Sequence, residues 1–109
     1  MKTREIITES EIPVDEIFFS PAVPWPSNYV ETEPEEITVL AADLVPTQKT
    51  LDVSGVRDYL FGRGSWQDHL PEVVKRNDEY LILDGHHRVA AQIKQGRSEI
   101  EVLLVGFDE

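Results

Sequence analysis

Cysteine is absent from the 109 residues, and that absence closes several routes at once. Disulfides, thiolate metal sites and cysteine nucleophiles are all excluded. Basic residues are scarce as well: ten Lys and Arg face twenty-one Asp and Glu, for a formal net charge of −11. Residues 1–36 hold nine acids against two bases, and residues 37–109 hold twelve against eight. Neither part has the basic face that phosphate-backbone binding requires, so direct DNA binding is not expected; an acidic surface suits solvation or a basic partner. No apolar run approaches the roughly 18 residues of a membrane helix, and no membrane partner is expected. The first twenty residues carry no apolar signal-peptide core, so the expected location is cytoplasmic.

What is present is enough for one domain with a modest core, at 40% hydrophobic residues. Its centre is the stretch Tyr80-Leu81-Ile82-Leu83-Asp84-Gly85-His86-His87-Arg88-Val89-Ala90-Ala91. Tyr80 to Leu83 has the uncharged character of a buried strand, and Asp84-Gly85 breaks it. Arg88 to Gln95 lacks Gly and Pro and reads as a helix, with Gly96 placed for a left-handed C-cap. A helix opening on Gly85-His86-His87-Arg88 aims backbone N–H groups and a positive dipole end at the same place as an arginine and two imidazoles, the chemistry of an anion site.

The remaining elements are read around that unit. Glu11 to Phe19 is expected to form one strand. Pro21, Pro24 and Pro26 make the piece from Ser20 to Tyr29 extended or polyproline-like, with Trp25 and Tyr29 either packed back on the domain or open to a partner. Glu31 to Glu36 reads as an acidic linker, which sets an N-terminal extension over 1–36 and a domain over 37–109. Within the domain, Ile37 to Leu40 is β-prone, and Asp43-Leu44-Val45-Pro46-Thr47-Gln48 runs from strand into turn. Asp52 to Phe61 is a helix with Asp52 or Ser54 as N-cap. Gly62 to Ser65 forms a loop without P-loop spacing, in which Arg63 is more readily a solvated residue than a ligand. Leu70 to Lys75 and Tyr80 to Leu83 form a hairpin about Arg76-Asn77-Asp78-Glu79, and Ile100 to Val105 is the last strand.

Asp84-Gly85-His86-His87-Arg88-Val89-Ala90-Ala91 resembles the signature turn of the ParB/sulfiredoxin superfamily, whose members hold nucleotide phosphates at this helix N-terminus. The turn reads roughly Gly-Glu-Arg-Arg/His-Arg in partitioning ParB proteins and Gly-Gly-Cys-His-Arg in sulfiredoxins; the ParB-like free-serine kinases carry Asp-Gly-His-His-Arg, as here. Leu44-Val45-Pro46-Thr47-Gln48 is similar to the entry turn of that family. The resemblance implies a small α+β fold, a mixed sheet with two main helices, over roughly residues 37–106. It implies a phosphate or nucleotide cradle made of Gly85, His86, His87, Arg88, Thr47 and Gln48, with Asp84 and His87 as candidate catalytic groups. The implied ligand is a nucleoside tri- or diphosphate, with or without Mg²⁺, or a phosphorylated small molecule. His86 stands where sulfiredoxins place their catalytic cysteine, so that reaction is closed to this chain. In the serine kinases a glutamate near the entry turn takes the substrate proton; Thr47-Gln48 occupies that region here, and an amide cannot serve as that base, which leaves Asp43 or Asp52 as substitutes.

Several alternatives stand beside these readings. Arg88 either binds the ligand or braces the fold against Asp84 or Asp43. Asp84 is a base or metal partner on one reading and a helix N-cap on the other. Adjacent helical side chains project about 100° apart, so at most one of His86 and His87 faces a given anion. His86, His87 and His69 do not have zinc-site spacing, and no metal site is expected. At the level of function, phosphoryl transfer or nucleotide hydrolysis competes with a ParB-like nuclease, which needs clustered carboxylates and a basic track. The third possibility is a non-enzymatic regulator that engages a protein partner through residues 1–36. Partitioning ParB proteins add a helix-turn-helix domain after this core, and a partition role is not expected of this chain.

Overall fold

The computed structural model describes residues 11–60 and 69–108. Strand β1 (Glu11–Pro13) leads into a 3-10 turn (Val14–Glu16), and β2 (Val30–Leu40) into a second one (Ala41–Asp43). Then follow β3 (Leu44–Val45), β4 (Thr50–Asp52), helix α1 (Val53–Leu60), β5 (Glu72–Arg76), β6 (Glu79–Asp84), helix α2 (His86–Lys94) and β7 (Glu99–Phe107). A five-stranded mixed sheet has the order β2-β7-β5-β6-β3, and β1 pairs with β4 in a small antiparallel sheet. This is the α+β class, with two helices on a mixed sheet, expected from the sequence.

The apolar run in β6 explains where the sheet is thickest. Leu81 and Ile82 are adjacent and point to opposite faces, yet both are fully buried. On one face Ile82 joins Val73, Ile100 and Val102 under Val56 of α1 and Val89, Ala90 and Ala91 of α2. On the other face Leu81, Val45 and Val74 are covered by Val23 and Tyr29. The proline-rich piece therefore packs back on the domain as the cover of the second face, and the Val23 N–H donates to the Pro46 carbonyl at 3.0 Å. Extended, proline-rich backbone suits this task because it lacks the donors that burial under a sheet would orphan.

Two expectations about the N-terminal third are corrected. Residues 31–36 are not a linker: they belong to β2, which pairs with β7 from Val30↔Phe107 to Leu40↔Glu99. A solvated edge strand and a solvated linker have the same composition; Glu31, Glu33, Pro34, Glu35 and Glu36 are the charges and proline that blunt an open sheet edge. The register shifts between Glu31 and Glu35, where Pro34 has no N–H to give. Strand formation in Glu11 to Phe19 stops at Pro13, after which the chain turns.

Elsewhere the differences are small. Helix α1 starts at Val53 because Asp52 still pairs with Glu11 at the end of β4; Phe61, the Gly62–Ser65 loop and Trp66 lie outside the described residues. The β5–β6 hairpin closes through Asn77-Asp78, with Asn77 at φ 55, the left-handed conformation asparagine tolerates. Helix α2 begins at His86, inside the Gly85-to-Arg88 opening expected, and it ends as expected: Gly96 at φ 86 lets its N–H reach Ile93 O (2.9 Å) and lets Arg97 N–H reach Gln92 O (3.1 Å). That pair of bonds is a Schellman cap. No helix among the described residues is long and apolar enough to cross a membrane.

Candidate functional site at the start of helix α2

The turn between β6 and α2 strongly favours glycine. Gly85 has φ 100, and a Cβ there would lie 3.0 Å from both Cα and Cβ of Pro71. Gly85 is itself the N-cap residue, with no side-chain cap on the helix. Of the two readings of Asp84, the N-cap is therefore not the one realised: Asp84 ends β6 and its carboxylate does not bond the first turn. The first intrahelical bond runs from Val89 N–H to Gly85 O at 3.0 Å, so the amides ahead of it depend on partners outside the helix.

The two histidines face the segment that enters from β3. His86 Nε2 accepts the Thr47 N–H at 2.9 Å, while Thr47 Oγ1 donates to Ile82 O at 2.6 Å. His87 Nε2 accepts the Asp52 N–H at 3.0 Å. Both rings are thus neutral and carry their proton on Nδ1. Burial, with the charge of His87 adding to it and Asp84 opposing, lowers the His86 pKa to about 4. Burial lowers that of His87 also, against an opposing pull from the Asp52 carboxylate. Phe18 packs edge-on against the His86 ring, centroids 6.4 Å apart. In this arrangement the imidazoles fasten residues 47–52 to α2, and neither supplies a cation to a ligand.

His87 also explains a glycine that sequence reading passed over. A Cβ on Gly55 of α1 would sit 2.7 Å from His87 Cδ2 and 3.1 Å from Nε2. Glycine inside a helix costs about 1 kcal/mol against alanine, and that cost was the available signal that something packs closely here.

Arg88 turns the other way. It is 9% exposed, its guanidinium carbon lies 5.5 Å from the centre of the Tyr59 ring, and its Nε and Nη1 are buried without a hydrogen-bond partner. Among the described residues no ion pair ties it to Asp84 or Asp43, so the bracing role is not the one it plays. It opens instead on a cleft of about 400 Å³ lined also by Glu36, His69, Leu70, Glu72, Asp84 and Leu103. The pairings Glu36↔Leu103, Leu103↔Glu72 and Glu72↔Asp84 set these four in one row across β2, β7, β5 and β6. Glu36 and Glu72 were not singled out in the sequence; only strand register brings them to Asp84. Like charges directly opposed, as Glu72 and Asp84 are, oppose pairing rather than assist it.

The expected cradle therefore divides. Thr47, Gly85 and His86 come together at the turn, with His87 bonded beside them to Asp52. Gln48 Nε2 donates to Thr50 O at 2.9 Å within its own loop, and Arg88 with Asp84 lines the cleft. Trp25 is a further neighbour: its Nε1 donates to Leu83 O at 3.3 Å. No group of three or more His, Asp or Glu among the described residues is arranged to hold a metal ion. Comparison with protein-family models, with curated proteins and with solved structures finds no match.

Proposed function

We propose that this chain is a phosphate-binding domain of ParB/sulfiredoxin type whose ligand is a nucleotide complexed with Mg²⁺. The observation that carries the proposal is Arg88, a guanidinium buried with Nε and Nη1 unpartnered, on the first turn of a helix whose N-terminus has no side-chain cap. Buried N–H groups of a charged side chain are costly to leave without hydrogen-bond partners, and a ligand that supplies acceptors would complete them. A phosphate group offers oxygens in the planar, two-point geometry that a guanidinium fork matches, and helix N–H groups favour the same charge.

The cleft is not uniformly suited to an anion. Three carboxylates face one arginine, so a bare polyphosphate would meet repulsion from Glu72 and Asp84. Mg²⁺ brought with the nucleotide reverses that sign, because it is commonly held by one or two carboxylates together with phosphate oxygens. Asp84 and Glu72, both lining the cleft, are the residues that would hold it. Should phosphoryl transfer or hydrolysis follow, Asp84 is the nearest cleft carboxylate to the helix start and the candidate to accept a proton, while His87 Nε2 is engaged by Asp52 N–H.

The test is calorimetric titration with ATP, ADP, CTP and GTP, with and without Mg²⁺, on the native chain and on Arg88→Met. Saturable binding that requires both Mg²⁺ and Arg88 is expected. Absence of binding by every nucleotide, in a protein that circular dichroism shows to be folded, would remove the proposal.

A further inference from the structure

Trp25 is the largest exposed apolar side chain near the site and has no role in the reading above. It is 51% exposed, although an indole generally gains from burial. Its Nε1–H is nevertheless bonded to Leu83 O at 3.3 Å. One edge of the ring is therefore tied to β6 while half of the residue's surface stays in water. Its backbone is restrained too: Pro24 and Pro26 flank it, and proline on either side narrows the conformations open to the chain. The residue it grips directly precedes Asp84, which lines the cleft, and lies two before Gly85, at most roughly 7 Å along the chain. Trp25 does not line the cleft itself; it stands beside the strand that ends there. A rigid, half-exposed aromatic plate thus stands beside the strand that delivers Asp84 to the cleft and leads into the start of α2.

We infer that Trp25 is a stacking platform for the base of the nucleotide, and that the ligand is accordingly a nucleotide rather than an inorganic or sugar phosphate. The inference rests on the phosphate-binding reading above. Stacking is tolerant of base identity because every base presents a π-face, so Trp25 selects for the presence of a base and not for one base among four.

The experiment compares ATP with inorganic tripolyphosphate, each with Mg²⁺, by calorimetry on the full chain. A parallel fluorescence titration uses Trp66→Phe, which leaves Trp25 as the sole tryptophan of the two. The expected result is tighter binding of ATP than of tripolyphosphate, by about fivefold to 150-fold, the range that one stacked base supplies, with quenching of Trp25 by ATP alone. Trp25→Leu, apolar but without a π-face, should reduce ATP to the affinity of tripolyphosphate and leave the latter unchanged. Trp25→Phe should keep most of the advantage, which separates stacking from any loss of the Leu83 bond. Equal affinities for the two ligands, both lost in Arg88→Met, would overturn the role of Trp25 while leaving the phosphate site in place. Binding of neither would overturn the site and this inference together.

Discussion

Lowering the pH should loosen this fold through His86 before most carboxylates titrate. In the folded chain its pKa is about 4, against about 6.5 when the ring is free in water. Between these values the unfolded chain binds a proton that the folded chain does not, so stability falls as pH drops through the unfolded pKa, and the loss is complete near pH 4. The difference of roughly 2.5 units corresponds to about 3 kcal/mol at 1.36 kcal/mol per unit. For a domain whose total stability is on the order of 5–15 kcal/mol, that is a large part. His87, also lowered, acts in the same direction. Protonation of carboxylates relieves the self-repulsion of a chain with net charge −11, which acts oppositely, so the informative quantity is a difference. Urea denaturation followed by circular dichroism at pH 7, 6, 5 and 4 should be run on the native chain and on His86→Gln, whose side-chain oxygen can still accept the Thr47 N–H. The native chain should lose about 3 kcal/mol more than His86→Gln between pH 7 and pH 4. Parallel pH profiles, or an imidazolium signal for His86 appearing near pH 6.5 in NMR, would refute the reasoning.

Three substitutions probe other parts of the account. Gly55→Ala gains helix propensity of about 1 kcal/mol yet should lower Tm, because the new methyl displaces His87 by overpacking at a cost of roughly 1–3 kcal/mol; a raised Tm would show that α1 and α2 are not closely packed there. Gly85→Ala places a Cβ at φ 100 against Pro71, a strain of about 1–3 kcal/mol that should lower Tm by roughly 4–8 °C per kcal/mol, measured by scanning calorimetry. Arg88→Met should leave stability unchanged or raise it, since two buried nitrogens without hydrogen-bond partners are replaced by an apolar side chain of similar volume that can still pack on Tyr59. A loss of several kcal/mol in urea titration would mean that Arg88 already has its partners.

The sheet-and-helix framework was legible because its signals are local. Tyr80 to Leu83 is apolar enough to be buried on both faces, Asn77-Asp78 marks the hairpin, and Gly85 and Gly96 mark the two ends of α2. The N-terminal third was misread for a physical reason. An edge strand protected by Glu31, Glu33, Pro34, Glu35 and Glu36 carries the same residues as a disordered linker, and only pairing with β7 tells them apart. At the site, the anion chemistry of a helix N-terminus with Arg88 could be read from the chain. The neutrality of His86 and His87 could not, since it follows from the backbone N–H groups of Thr47 and Asp52, 39 and 35 residues away. Nor could the company of Arg88: Glu36 and Glu72 reach Asp84 only through the register of four strands. The bond from Trp25 to Leu83 spans 58 residues and has no sequence signature.

The central claim is that the Arg88 guanidinium is held ready for a phosphate. The most direct measurement is the Nε–H resonance of Arg88 in ¹⁵N-labelled protein, assigned by its loss in Arg88→Met and followed while MgATP is added. The account predicts a saturable downfield shift of that resonance as Nε gains an oxygen partner, with the same midpoint as the calorimetric titration. A resonance that stays in place while ATP binds would put the phosphates elsewhere and contradict it.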